Sequence, residues 1–144
     1  MNVSKSKMNV LIKVKTHLEK KAHMELMKIR DTKEKETQSL TSLVDAKHTA
    51  AQEAEAKARS KAVDLQANVA FLKQLSEKIE DQRQKVQEIR LKEDAKREEL
   101  VEKSKSRKMV EKLTQKKHEE MMKETDRKEQ GLNDVLAQRT RKRS

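Results

Sequence analysis

The sequence contains no proline and a single glycine, Gly131, in 144 residues. It also lacks cysteine, tryptophan and tyrosine, and has one phenylalanine, Phe71. A compact globule of this length needs several tight turns. Gly, Pro, Asn and Asp clusters supply the backbone angles that turns require, and here they are missing. Without cysteine there are no disulfides and no thiolate metal sites, which is neutral to weak evidence for a cytosolic setting. No run of about 18 apolar residues is present to span a bilayer. The opening "MNVSKSKMNVLIKVK" starts basic, but Lys13 breaks its apolar patch, which is too short for a signal-peptide core. The expectation is a soluble, cytoplasmic protein.

What is present is charge. Charged residues make up 42% of the chain and hydrophobic ones 33%. Ordering a backbone costs roughly 1–2 kcal/mol per residue. So small an apolar fraction offsets that cost only if it is gathered into one narrow seam; the other outcome is disorder. Ala, Glu, Lys, Leu, Arg and Gln dominate, and all favour helix.

The periodicity favours the seam. Leu65, Leu72, Ile79, Val86, Glu93 and Leu100 recur every seven residues. Leu75, Gln82, Ile89, Lys96, Lys103 and Val110 supply the second seam position, with Leu113 just beyond. Charge interrupts this seam from Glu93 to Arg107. In the first half, Leu11, Val14, Leu18, Ala22, Leu26 and Ile29 form a stripe. "DTKEKE" (31–36) breaks it, and Leu40, Leu43, Ala50, Ala54 and Ala58 continue it. Neither stripe is stable alone in water.

The simplest mutual solution is all-α: two long helices forming an antiparallel coiled-coil hairpin with a C-terminal helical overhang. Opposing Leu43 with Leu75 sets the fold point near 59. The expected bounds are helix over about 4–57, a turn over about 58–62 marked only by Ser60, and helix over about 63–140. The whole chain, 1–144, reads as one coiled-coil rod, roughly 75–85 Å long with about 40 Å of overhang. Residues 115–144 have no partner within the chain, so Met121, Met122, Leu132, Val135 and Leu136 are left uncovered. Gly131 either ends that helix or softens it, since a helix-interior Gly costs about 1 kcal/mol relative to Ala. Phe71 falls one position before the seam residue Leu72, on the flank, sharing a small apolar patch with Leu75.

The sequence excludes familiar catalytic machinery. A phosphate-binding loop or a nucleophile elbow needs two glycines. No pair among His17, His23, His48 and His118 has the i, i+4 spacing of helical metal ligands, and "HEEMM" is not the zinc-protease motif. Carboxylates on a thin coiled coil stay too hydrated for useful pKa shifts. The chain reads as a non-enzyme needing no cofactor and no metal. Met24 and Met27 read as soft packing around Leu26, and Met121 and Met122 as adaptable contacts for another protein.

The formal net charge of +11 raises nucleic acid as a partner. Most of the positive charge is interleaved with carboxylates, as on any solvated helix face. It is denser in the Lys-rich first fifteen residues and in "RTRKR" at 139–143. No aromatic stacking platform accompanies it, so nucleic acid is the less favoured partner. A basic nucleic-acid-associated coiled coil and a purely structural spacer stay open as alternatives.

The tail "KSRKMVEKLTQKKHEEMMKETDRKEQGLNDVLAQR", the start "MNVLIKVKTHLEKKA" and the centre "FLKQLSEKIEDQRQ" together resemble the flagellar FliJ and virulence-type YscO proteins of type III export machines. The resemblance implies a cytoplasmic stalk, peripherally associated with the secretion apparatus at the inner membrane and monomeric. Its partners would be the hexameric export ATPase, whose assembly it promotes, the cytoplasmic domain of the export gate, and export chaperones. The gate contact would be Phe71, Leu75, Lys78 and Gln82, facing Ser39, Leu43, Ala46 and Ala50. Ala46 and Ala50 stand where flagellar members carry tyrosines. The ATPase contact would be Val10, Leu11 and Val14 with Met121, Met122, Leu132, Val135 and Arg139.

Overall fold

In a computed structural model, residues 2–57 and 62–143 are described, and they form two helices, α1 (Asn2–Ala56) and α2 (Ala62–Arg143). Among the described residues there is no strand. The expected turn with its fold point near 59, Ser60 and the seam residue Ala58 fall outside the described residues, except for Ala62, which opens α2. The N–H of Lys57 donates to the carbonyl of Glu53 at 3.0 Å, carrying the α1 ladder one residue further. At its other end α2 outlasts the expected bound. Arg141, Lys142 and Arg143 occupy its last turn, where positive charge meets the negative end of the helix dipole. Gly131 does not break the helix: α2 runs through it, with no positive φ.

The chain divides into two compact units, each built from parts of both helices. The unit Lys21–Leu100 contains most of the apolar seam. Ala22, Leu26, Leu75, Ile79, Val86 and Ile89 are buried, and Ile29, Leu40, Leu43, Ala50, Ala54 and Leu72 are half-buried. Covered positions alternate at three and four residues on each helix, the spacing of a coiled-coil seam. Cross-helix contacts show that the helices run antiparallel. Glu25 pairs with Lys96, Arg30 and Lys33 with Glu93, and Glu36 with Gln82 and Lys85. Glu36 sits between Gln82 and Lys85, which keeps the Leu43–Leu75 register to within about one helical turn.

The second unit joins residues 1–20 to 101–144. Here Lys15 donates to Ser106 at 2.7 Å, and Arg107 pairs with Glu19. The covered α1 positions are Met8, Ile12, Lys15, Thr16 and Glu19, and those on α2 include Lys103, Arg107, Val110 and Thr114. From Gln115 to Arg143 every residue is exposed, although His118 and Met121 still line a groove with Met8 and Ile12 of α1.

Three expectations about packing are corrected. Leu11, Val14 and Leu18 are not seam residues; they are 41, 49 and 41% exposed. The seam phase set by Ala22 and Leu26 runs back through Glu19, Lys15 and Ile12, and the Glu19–Arg107 pair fixes it there. Met24 and Met27, at 63 and 45% exposed, fill no gap, because the turn that buries Leu26 points its close neighbours outward. Leu65, 38% exposed, lies at the edge of the seam, near the start of α2.

Candidate functional site

The charge that interrupts the seam is paired across it. Glu93, at a seam position of α2, is 3% exposed. Its Oε1 accepts from Arg97 at 2.7 Å and lies 3.6 Å from Arg30, while its Oε2 meets the Lys33 ammonium at 2.5 Å. Oε2 is otherwise without a hydrogen bond of good geometry, so charge rather than direction holds it. Lys33 is the main cause that keeps the Glu93 carboxyl below its ordinary value; burial opposes this, and Arg97 and Arg30 reinforce it. Glu19 is lowered by Arg107, Glu25 by Lys96, and Glu36 by Gln82 and then Lys85. In return, Lys96 is raised by Glu25 and Glu99, and Arg107 by Glu19 and Glu111. "DTKEKE" and the Glu93–Arg107 interruption therefore meet opposite charges on the facing helix. These ion pairs tie the two helices together and hold their register. Among the described residues, no group of three or more His, Asp or Glu could hold a metal ion.

The expected gate contact lies within the unit Lys21–Leu100. Phe71 is 52% exposed, as its flanking position requires. Lys78, one heptad on, is also exposed, as are Ser39 and Ala46. In an antiparallel pair these flanking positions share one edge, so the four stand together. Leu75 differs: at 6% exposed it belongs to the seam, and the small patch it was to share with Phe71 does not form. Leu43 and Ala50 are half-buried, and Gln82 donates to the Glu36 carbonyl and carboxylate at 2.9 and 2.6 Å. Phe71 is thus the large exposed apolar side chain of that set.

The expected ATPase contacts lie in the other unit, and all are exposed. Val10 is 56% exposed, Met121 41%, Met122 53%, Leu132 65% and Val135 49%, and Arg139 is exposed near the end of α2. Where α1 begins, a groove of about 420 Å³ opens between the helices, lined by Met8, Ile12, Thr114, His118 and Met121 among others. Sequence reasoning missed Leu18, Met109 and Leu113 as surface candidates. They are 41, 64 and 49% exposed beside Leu11 and Val14. Tracing the heptad phase back from Leu26 on α1 would have found Leu18, and carrying it forward from Ile89 on α2 would have found the other two.

Charge is divided unequally between the units. The unit of residues 1–20 and 101–144 has 19 Lys and Arg against 9 Asp and Glu, a net +10. The unit Lys21–Leu100 has 17 against 16, a net +1. Almost all the excess positive charge therefore lies in the unit that holds residues 1–20 and 101–144.

An antiparallel helical pair with charged partners interlocked across its seam defines a coiled-coil hairpin. The chain belongs to the FliJ family: the family described as flagellar FliJ protein matches residues 4–144. It is accordingly a protein of the flagellar, type III export class, and that family is one of export components rather than enzymes. No curated protein and no solved structure matches the chain. Among the described residues, no helix is long and apolar enough to cross a membrane.

Proposed function

We propose that this protein is a stalk component of a type III export apparatus, acting as a monomer in the cytoplasm at the inner-membrane machinery. The unit formed by the two chain ends binds the hexameric export ATPase and promotes its assembly and activity. Val10, Leu11, Val14, Met121, Met122, Leu132 and Val135 supply adaptable apolar contacts, and Arg139 supplies charge. The edge bearing Phe71, Lys78, Ser39 and Ala46 contacts the cytoplasmic domain of the export gate, with Leu75, Leu43, Gln82 and Ala50 supporting it from the seam. Export chaperones complete the set of partners. The observation that carries the reading is the division of charge: a +10 unit, with an exposed helical overhang, suits an acidic recess in a partner. Electrostatics then steers association, while Leu and Met contacts hold it.

The test is the activity of the purified export ATPase with the full chain and with a chain truncated after Thr114. Stimulation is expected to be lost with the truncated chain; unchanged stimulation overturns the reading. The same +10 charge also favours a second reading, nucleic-acid binding. A filter-binding titration separates the two, since nucleic-acid binding requires tight association at physiological salt with a steep salt slope.

A further inference from the structure

The two edges of the seam in the unit of residues 1–20 and 101–144 differ chemically. On one edge lie Thr16, Ser104, Glu111 and His118. The Thr16 hydroxyl is already satisfied by the Ile12 carbonyl at 2.8 Å, and Glu111 accepts from Arg107 at 2.9 Å. On the other edge lie Leu11, Val14 and Leu18 of α1 with Met109 and Leu113 of α2. Their exposures are 41, 49, 41, 64 and 49%.

The register brings these five together. Lys15 opposes Ser106 and Glu19 opposes Arg107, so Leu11 comes beside Leu113. Val14 and Leu18 follow Leu11 at helical spacing, and Met109 precedes Leu113 by four residues on the same face. Two helices cannot enclose such an edge, whereas a third helix laid along it can. Lys7, Lys112 and Lys116 stand exposed around it, with two carboxylates on the same face, Glu102 one heptad before Met109 and Glu120 one heptad after Leu113.

We propose that this edge is the docking face for an acidic amphipathic helix of a partner protein, one with leucine-type residues at three- and four-residue spacing flanked by Glu and Asp. Charge selects this occupant over the others. A second copy would press one +10 unit against another. The chain's own overhang is not available to fold back, because α2 continues as one helix to Arg143.

The face shares Leu11 and Val14 with the contacts proposed for the ATPase, but its test does not pass through ATPase activity. A chain that stimulates the ATPase but does not dock such a helix keeps the stalk role and loses this face. The probe is a fluorescein-labelled peptide of three heptads with Leu at the seam positions and Glu elsewhere. Its binding to the full chain is followed by fluorescence anisotropy beside a shuffled peptide of the same composition. The shuffled peptide is expected to bind at least about tenfold more weakly. L11S/L113S should weaken the amphipathic peptide by about tenfold or more without loss of helical signal, because both side chains are already exposed. Val69→Ser, at a 66% exposed position of the other unit, should leave binding unchanged. Equal binding of the two peptides, or unchanged binding by the double variant, overturns the proposal. Sedimentation showing a dimer that L11S/L113S dissociates also overturns it, since a second copy would then occupy the face.

Discussion

Replacing Glu93 with leucine should stabilise the helical pair, although it removes the hub of an ionic cluster. Glu93 sits at a seam position, 3% exposed, in line with Val86 and Ile89 at 8 and 9%. A leucine there would be covered about as well as its seam neighbours, and burying such a side chain contributes about 1.5–3 kcal/mol. The carboxylate it replaces carries a desolvation penalty of several kcal/mol, which its partners only roughly offset. Those partners are not trapped once the carboxylate is gone. The side chains of Arg30, Lys33 and Arg97 are 44, 32 and 51% exposed, so each can return to water. Each such contact is worth about 0–1 kcal/mol. The net expectation for Glu93→Leu is a gain of about 1 kcal/mol, or about 2–8 °C in melting midpoint. Glu93→Ala leaves a cavity and should fall about 2 kcal/mol or more below the leucine variant. The assay is thermal and urea unfolding followed by circular dichroism, with the predicted order Leu, Glu, Ala. A leucine variant less stable than the natural chain, while fully helical, would refute the reasoning. It would show that the three cations contribute more than burial of the carboxylate costs.

The remaining expectations concern pH and the seam edge. Glu19, Glu25, Glu36 and Glu93 are all held below their ordinary value of 4.5 by cross-helix partners. The stability they contribute is therefore complete above about pH 4.5 and is lost as pH falls through their lowered values. Unfolding midpoints measured across this acid range should drop, and the drop should be shallower in Glu93→Leu; a flat profile would contradict the pairing. Leu75→Ala should cost about 2–5 kcal/mol, as expected for a seam residue 6% exposed. Phe71→Ala should cost less than about 1 kcal/mol and weaken binding to the cytoplasmic domain of the export gate. A large stability loss at Phe71 with normal gate binding would return the ring to the core.

How far the fold could be read depended on the strength of the apolar signal in each helix. In α2, Leu72, Leu75, Ile79, Val86 and Ile89 supply an almost unbroken heptad, and the structure places all of them in the seam. At the start of α1 the signal misleads. Leu11, Val14 and Leu18 are more apolar than Ile12, Lys15 and Glu19, so a local reading puts them inside. What turns them out is the phase of the longer seam, set by Ala22, Leu26 and Ile29 against α2, with which the Glu19–Arg107 pair is in register. A stripe is a property of one helix, whereas a seam belongs to a pair. Where a helix has two stripes about 100° apart, only the partner decides between them.

The same limit applies to the candidate surfaces. Phe71 could be placed on the flank because its phase is locked by neighbours on both sides, and its exposure follows from that alone. Leu75, named for the same contact, could not be separated from the seam without seeing that it is covered. The division of charge was harder still. Lysines stand beside glutamates along most of the chain; only the first fifteen residues and "RTRKR" at 139–143 are visibly denser in positive charge. Only the antiparallel fold brings the Lys-rich start of α1 against the basic second half of α2, producing +10 in one unit and +1 in the other. Because opposite charges are matched across the seam at Glu19–Arg107, Glu25–Lys96 and Lys33–Glu93, the unmatched excess must sit on outward positions. It is there that a partner would meet it, around an apolar edge left open by the misread stripe. The wrong reading of Leu11, Val14 and Leu18 as core and their proposed role as a docking face thus have one cause. They are apolar enough to be buried, and within this chain nothing buries them.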